Sequence, residues 1–270
     1  MLFDSHTHLN NEGYNDSQRE ELAGEIEESE VKFVVDIGFD LESSAMAVKH
    51  AGKYDWCYAA VGYHPHDSKF MDDMSFAMIK ALAAKPKVVA IGETGLDFHY
   101  DHSPRDVQRE CFRKQIRLAN ELKMPVVIHA READNEVMEI LTEEQAFSSE
   151  RKGWFPKRHG APDARVLLHC YSGSMEMARE YIKRGATISI AGPITYGNAR
   201  KNIGVVEAIP IEYLLAETDA PYLTPEPFRG KRNKSPYVKY TVMKIAEIKG
   251  VSYEEAAGIT CENARRFYGI

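Results

Sequence analysis

Pro125-Val126-Val127-Ile128-His129 is a short β-branched run that stops on a metal-type ligand. Valine and isoleucine favour an extended, pleated backbone, and the run sits between two helix-period segments, 105–122 and 133–144. A strand between two helices is the repeating unit of a parallel sheet with right-handed crossovers. Similar runs occupy 2–4, 32–37, 57–62, 88–92, 165–169, 187–191 and 213–216. Helical periodicity over 16–30, 41–54, 73–84 and 174–184 separates them, and 236–248 and 253–267 read as two closing helices. Eight strands alternating with helices predict an α/β fold, a (β/α)8 TIM barrel, in preference to an open doubly wound sheet. No Gly-x-Gly-x-x-Gly opens the first helix, so a dinucleotide site is not indicated.

The 270 residues suit one barrel domain spanning 1–270, since this fold typically takes ~250 residues. Repeats, low-complexity stretches and obvious linkers are absent from the sequence. No segment approaches the ~20 apolar residues of a membrane helix, and Asp4 and His6 follow the start too closely to leave room for a secretory leader. Cys57, Cys111, Cys170 and Cys261 are scattered without a Cys-x-x-Cys, which argues against a disulfide framework or zinc ribbon. The expectation is a cytoplasmic protein with no membrane contact and no obligate protein partner. A net charge of −7 disfavours broad coating of nucleic acid, but is compatible with a nuclease that grips one phosphate locally.

The chemistry-bearing residues fall at predicted strand ends. His6 and His8 follow the first strand; Glu93, His129, His169 and Asp219 end strands four, five, six and eight. Barrel enzymes assemble their sites at this C-terminal face. Six imidazole and carboxylate ligands exceed the three or four that hold one catalytic zinc. They predict two divalent metal ions (Mg, Mn or Zn), ~3.5–4 Å apart. Glu93 is the natural bridge, and Asp219 can bind one ion and accept a proton from the attacking water.

Phe3-Asp4-Ser5-His6-Thr7-His8, Gly62-Tyr63-His64-Pro65, Gly92-Glu93-Thr94-Gly95-Leu96-Asp97, His129-Ala130-Arg131, His169-Cys170-Tyr171-Ser172-Gly173 and Glu217-Thr218-Asp219-Ala220-Pro221 together resemble the TatD family of metal-dependent deoxyribonucleases. The tail Asn263-Ala264 with Phe267 is similar too. The resemblance implies a barrel hydrolase of DNA phosphodiesters, commonly exonucleolytic from the 3′ end. It implies that His6, His8, Glu93 and Asp219 hold one ion, that Glu93, His129 and His169 hold the second, and that His64 and Arg131 bind near the substrate phosphate. Two departures are Tyr171, where the family usually has Phe, and a longer 145–164 insertion. The alternative reading is an amidohydrolase or lactonase acting on a carbonyl substrate with the same metals. A strand-end lysine as bridge would favour that rival, but Glu93 takes the role.

Two basic stretches remain. Segment 145–164, with Arg151, Lys152, Lys157, Arg158 and His159, follows a helix and precedes a strand, so it is expected at the far face as a solvated insertion or an oligomer contact. Segment 224–236, with Arg229, Lys231, Arg232 and Lys234, lies on the site face. It reads either as an anion contact, favouring a phosphate substrate, or as a proline-stiffened surface loop. His50 reads as a surface helix residue, and His66, His99 and His102 as solvated loop residues. Cys170 is expected to face away from its neighbour His169 by strand alternation, and Asp97 and Glu217 to support ligands rather than to be ligands.

Overall fold

A computed structural model describes residues 1–158 and 160–270; His159 lies outside them. Its eight strands are β1 (Leu2–Thr7), β2 (Val31–Ile37), β3 (Cys57–Val61), β4 (Val88–Asp97), β5 (Val126–Arg131), β6 (Val166–Leu168), β7 (Thr187–Ile190) and β8 (Leu214–Ala216). All pair in parallel with their chain neighbours, in the order β1 to β8. The ring is closed by backbone bonds from Asp219 N–H to His6 O (2.9 Å) and from His8 N–H to Ala220 O (2.8 Å). This is the predicted (β/α)8 barrel.

Alternation along the strands sorts the core into two layers. Val126, Ile128, Val166, Leu168, Leu214 and Ala216 face the surrounding helices. Val127, Leu167 and Leu215 face inward with Phe3 and Val35, and Ala264 and Phe267 close this inner layer from below. The two closing residues belong to the C-terminal helix Tyr253–Tyr268, which also ties Tyr268 Oη to Ser5 O at 2.8 Å. With a period of two, His129 and His169 continue the inward face beyond Val127 and Leu167. The same pleat that fills the barrel therefore delivers imidazoles to its mouth.

Strand β4 runs past its expected end at 92. Its pairing with β5 shifts register between Ile91 and Thr94, where Gly92 and Gly95 have φ of 142° and 145°. A Cβ on Gly95 would lie 1.9 Å from His129 O, and one on Gly92 would lie 2.6 Å from Val127 O. Only glycine allows β4 to approach β5 this closely. Helix Arg200–Ala208, before β8, was not foreseen; its central Gly204 weakens the helical signal.

Segment 145–164 lies at the N-terminal face as expected, but it is not a solvated insertion. It forms helix Ser149–Gly153, and Arg151 and Arg158 are fully buried. Arg151 donates to Ala164 O (2.8 Å), Met124 O (2.9 Å) and Asn120 Oδ1 (2.7 Å). Arg158 donates to Thr187 Oγ1 (3.0 Å) and Ala186 O (3.0 Å), with Asp163 3.6 Å away. The reason is the unpaired carbonyls at the starts of β5, β6 and β7, which need donors once buried. His50 is likewise buried, not on the surface; its Nδ1 lies 2.7 Å from Asp36 Oδ2 and pins its helix to β2.

Replacing Arg158 by Ala should leave Ala186 O and Thr187 Oγ1 without their buried donor. The expected cost is about 2–4 kcal/mol, read as a lower urea midpoint, with hydrolytic turnover of the folded protein unchanged. A midpoint equal to wild type would show that this arginine is dispensable to the barrel floor.

Candidate metal centre

Two groups of donors meet at the mouth, sharing Glu93. In the first, His6 Nε2 lies 3.3 Å from His8 Nε2, 3.4 Å from Glu93 Oε2 and 3.7 Å from Asp219 Oδ1. His8 Nε2 lies 3.7 Å from Glu93 Oε2 and 3.4 Å from Asp219 Oδ1. Four ligands ~2.1 Å from one tetrahedral ion sit ~3.4 Å from each other. The donor chemistry and these separations fit a divalent cation.

The second group gathers on the other carboxylate oxygen. Glu93 Oε1 is 3.0 Å from His129 Nδ1 and 2.7 Å from His169 Nε2, and those two nitrogens are 3.4 Å apart. His64 Nε2 is 3.5 Å from the same oxygen. The six expected ligands therefore come together, and His64, expected near the substrate phosphate, stands beside them within reach of Glu93 and His129. Glu217 joins His6 and His169 as a further group able to hold a metal.

The outer nitrogens sort the roles. His8 Nδ1 meets Ile37 O at 2.8 Å, and His129 Nε2 meets Asp97 Oδ2 at 3.1 Å. A carbonyl and a carboxylate accept, so each of these nitrogens holds a proton, and the site-facing nitrogen is the one that would meet a metal in the neutral ring. His169 Nδ1 lies 3.4 Å from Glu217 Oε1 in the same sense. His64 is reversed: its Nδ1 accepts from His66 N–H at 3.1 Å, so the neutral ring carries its proton on Nε2, facing the cleft. His64 is thereby a hydrogen-bond donor rather than a ligand.

Charge follows this geometry. Burial opposes ionisation of Glu93, but the His169 charge and the bonds from His129 and His169 hold its carboxyl well below the usual range. Asp219 is also lowered, burial being outweighed by the bond from His8. Burial disfavours the charged form of His8, yet Asp219 and Glu93 raise it to about 9. His169 stands well above its usual value, burial being overcome by Glu93 and Glu217. Burial, helped by the neighbouring His129, His66 and His169, outweighs Glu93 and keeps His64 neutral.

Asp97 and Glu217 support ligands as expected, Glu217 also accepting from Cys170 N–H (2.7 Å) and Ser189 Oγ (2.5 Å). Cys170 does not face away: its φ of 43° turns it out of strand alternation and into the lining of the cleft. His66 (2.9 Å from Asp97 Oδ2) and His102 also line the cleft, whereas His99 pairs with Glu132 outside it. Unforeseen were Asp4, which accepts from Thr218 N–H (2.8 Å) and Thr218 Oγ1 (2.6 Å), and Asn233, which donates to Thr218 O (2.8 Å). They hold the turn that presents Asp219. A carboxylate inside an apolar strand, as in Leu2-Phe3-Asp4, was the available signal.

The cleft above the donors measures about 730 Å³. Arg131 lines it and is the one lysine or arginine to do so among the described residues. The four cations of 224–236 do not. Arg229 stacks on Tyr196, Arg232 on Tyr14 and Lys231 on Phe228, while Lys234 pairs with Glu25 at 2.6 Å. Aromatic faces and one carboxylate hold them at the surface, so the phosphate argument from this loop falls away.

A barrel whose mouth gathers imidazoles around a shared carboxylate defines a metal-dependent hydrolase. Residues 3–269 match the family described as TatD related DNase. The chain is 46% identical, over the whole of both proteins, to an uncharacterized metal-dependent hydrolase, YabD, of Bacillus subtilis. It is 35% identical to the 3′-5′ ssDNA/RNA exonuclease TatD of Citrobacter rodentium, over 86% of this chain and 85% of that one. The crystal structure of YJJV, a TatD homologue from Escherichia coli, superposes with a TM-score of 0.87 at 24% identity, covering 100% of this chain and 98% of the other. The protein belongs to the TatD family of metal-dependent hydrolases. No helix among the described residues is long and apolar enough to cross a membrane.

Two outcomes follow from the donor geometry. Metal uptake by the metal-free protein at pH 7 should release protons, because His8 stays charged up to about 9 and must deprotonate to ligate. Affinity should then climb as pH rises from 6.5 toward about 9; calorimetry in buffers of different ionisation heat measures both, and a pH-independent affinity would contradict it. Asp97→Asn should weaken metal affinity about 10–100-fold by loosening His129, read in the same calorimetric titration; an affinity equal to wild type would contradict that supporting role.

Proposed function

We propose that this protein is a two-metal phosphodiesterase that shortens DNA from its 3′ end. The observation that carries the reading is the division of Glu93, one oxygen toward His6 and His8 and the other toward His129 and His169. A carboxylate so placed would hold two divalent ions, one on each oxygen. When bound, divalent ions supply Lewis acidity and lower the pKa of water at the site.

The chain's own groups supply the remainder. Asp219, held ionised, accepts the proton of the attacking water on its carboxylate. His64 donates from Nε2–H to a non-bridging phosphoryl oxygen, and its neutrality keeps that proton in place. Arg131 meets the phosphate with a forked cation at the cleft wall. Relatives named as ssDNA/RNA exonucleases support a nucleic-acid substrate. A carbonyl substrate fits less well, since no lysine lines the cleft among the described residues. Four free thiols suit a reducing cytoplasm.

A metal-titrated assay with Mg²⁺, Mn²⁺ or Zn²⁺ on single-stranded DNA, duplex DNA, RNA and a set of lactones tests the assignment. Metal-dependent loss of 3′ nucleotides from DNA is expected. Glu93→Gln and Asp219→Asn should each lower kcat about 10²–10⁴-fold with an unchanged circular dichroism spectrum. Lactone turnover without DNA cleavage, or near-native activity of either variant, would overturn the reading.

A further inference from the structure

Two tyrosines stand on the rim of the cleft with about half their surface open: Tyr100 is 49% and Tyr222 54% exposed. Both line the cavity that contains the metal-binding donors, and no other large exposed apolar side chain does among the described residues. Tyr100 rides on the loop after β4 and Tyr222 on the segment after β8. In a ring of eight strands in sequential order, those two positions lie on opposite sides. Each is tied to a different donor group. Tyr222 N–H donates to Asp219 O at 2.9 Å, and its ring stands edge-on to His8, centroids 6.3 Å apart. Tyr100 N–H donates at 2.9 Å to Oδ1 of Asp97, the carboxylate that holds His129.

We propose that Tyr100 and Tyr222 are base-stacking surfaces that receive the nucleobases on the two sides of the scissile phosphate. The inference rests on the phosphodiesterase reading and deepens it. Tyr100 already belongs to a pile of planar groups: His102 lies parallel to it at 5.5 Å and 8°, and the Arg131 guanidinium stands 4.8 Å from its ring centroid. A base extends such a pile. Tyr222 is fixed at its far end, where Asn11 Nδ2 donates to its hydroxyl at 3.0 Å. Glu93 joins the two donor groups to which the tyrosines are tied, so a phosphate at the metal centre would have one nucleoside on either hand. In a duplex the last two bases are paired and stacked on each other and must part before they can reach separate walls, so the arrangement selects unpaired ends and tolerates any sequence.

The test uses the full-length, metal-loaded protein and single-stranded oligodeoxynucleotides that carry a tetrahydrofuran abasic residue at the last position, the second-last, both or neither. Tyr100→Ala and Tyr222→Ala should each lower kcat/KM on the all-base oligonucleotide by about 5- to 100-fold, mainly through KM. The Phe variants should stay within about twofold, since the ring is kept. Each Ala loss should vanish when one particular base is missing, a different base for each tyrosine, and all enzymes should agree on the doubly abasic strand. Metal content and thermal midpoint report the state of the fold. Ala variants that lose nothing on base-bearing DNA, or that lose as much on doubly abasic DNA, overturn the stacking proposal. Wild-type protein that cleaves no oligonucleotide overturns instead the phosphodiesterase reading beneath it.

Discussion

One buried carboxylate organises the mouth of this barrel. Glu93 is 3% exposed, and an unpaired charge at that depth would be strongly destabilising. Its two oxygens are met by nitrogens of five histidines from four different strands or strand ends. Three of these rings, His8, His129 and His169, are steered in turn by acceptors behind them: Ile37 O, Asp97 and Glu217. The site is therefore an electrostatic unit in which each group's ionisation depends on its neighbours.

That unit requires β4 and β5 to touch more closely than side chains normally permit. Gly92 and Gly95 clear the space, and the register shift between them turns Glu93 toward the barrel axis while Thr94 resumes pairing with Ile128. At the opposite face, buried arginines perform the complementary task. Arg151 and Arg158 reach carbonyls at the starts of β5, β6 and β7 from one short segment, 145–164. Stability is invested in the floor, leaving the mouth free to hold groups chosen for chemistry.

The legible part of the molecule was what local periodicity governs. Branched apolar runs located every strand, and the two-residue pleat put His129 and His169 on the inward face without any knowledge of their partners. The hidden part was partnership across the chain. Arg151, Arg158 and His50 look like ordinary solvated side chains until the fold brings carbonyls or Asp36 against them. Cys170 escaped because a single positive φ inverts the alternation on which its placement rested. The loop 224–236 misled for the converse reason: a count of cations says nothing of the aromatic faces that hold Arg229 and Arg232 away from the cleft.

The floor of the site does not by itself distinguish phosphorus from carbonyl carbon, because both reactions need an activated water and a polarised oxygen. Discrimination has to come from the walls. A tetrahedral phosphodiester presents two non-bridging oxygens and a nucleoside on each side, whereas a lactone presents one carbonyl oxygen and a compact ring. The cleft offers a cation at Arg131, a neutral N–H donor at His64 and open aromatic faces on opposite rims. Two oxygen-directed donors and two separated stacking faces match the diester's symmetry about phosphorus. The compact ring leaves at least one rim unused, and with it the binding energy that exposing two tyrosines makes available.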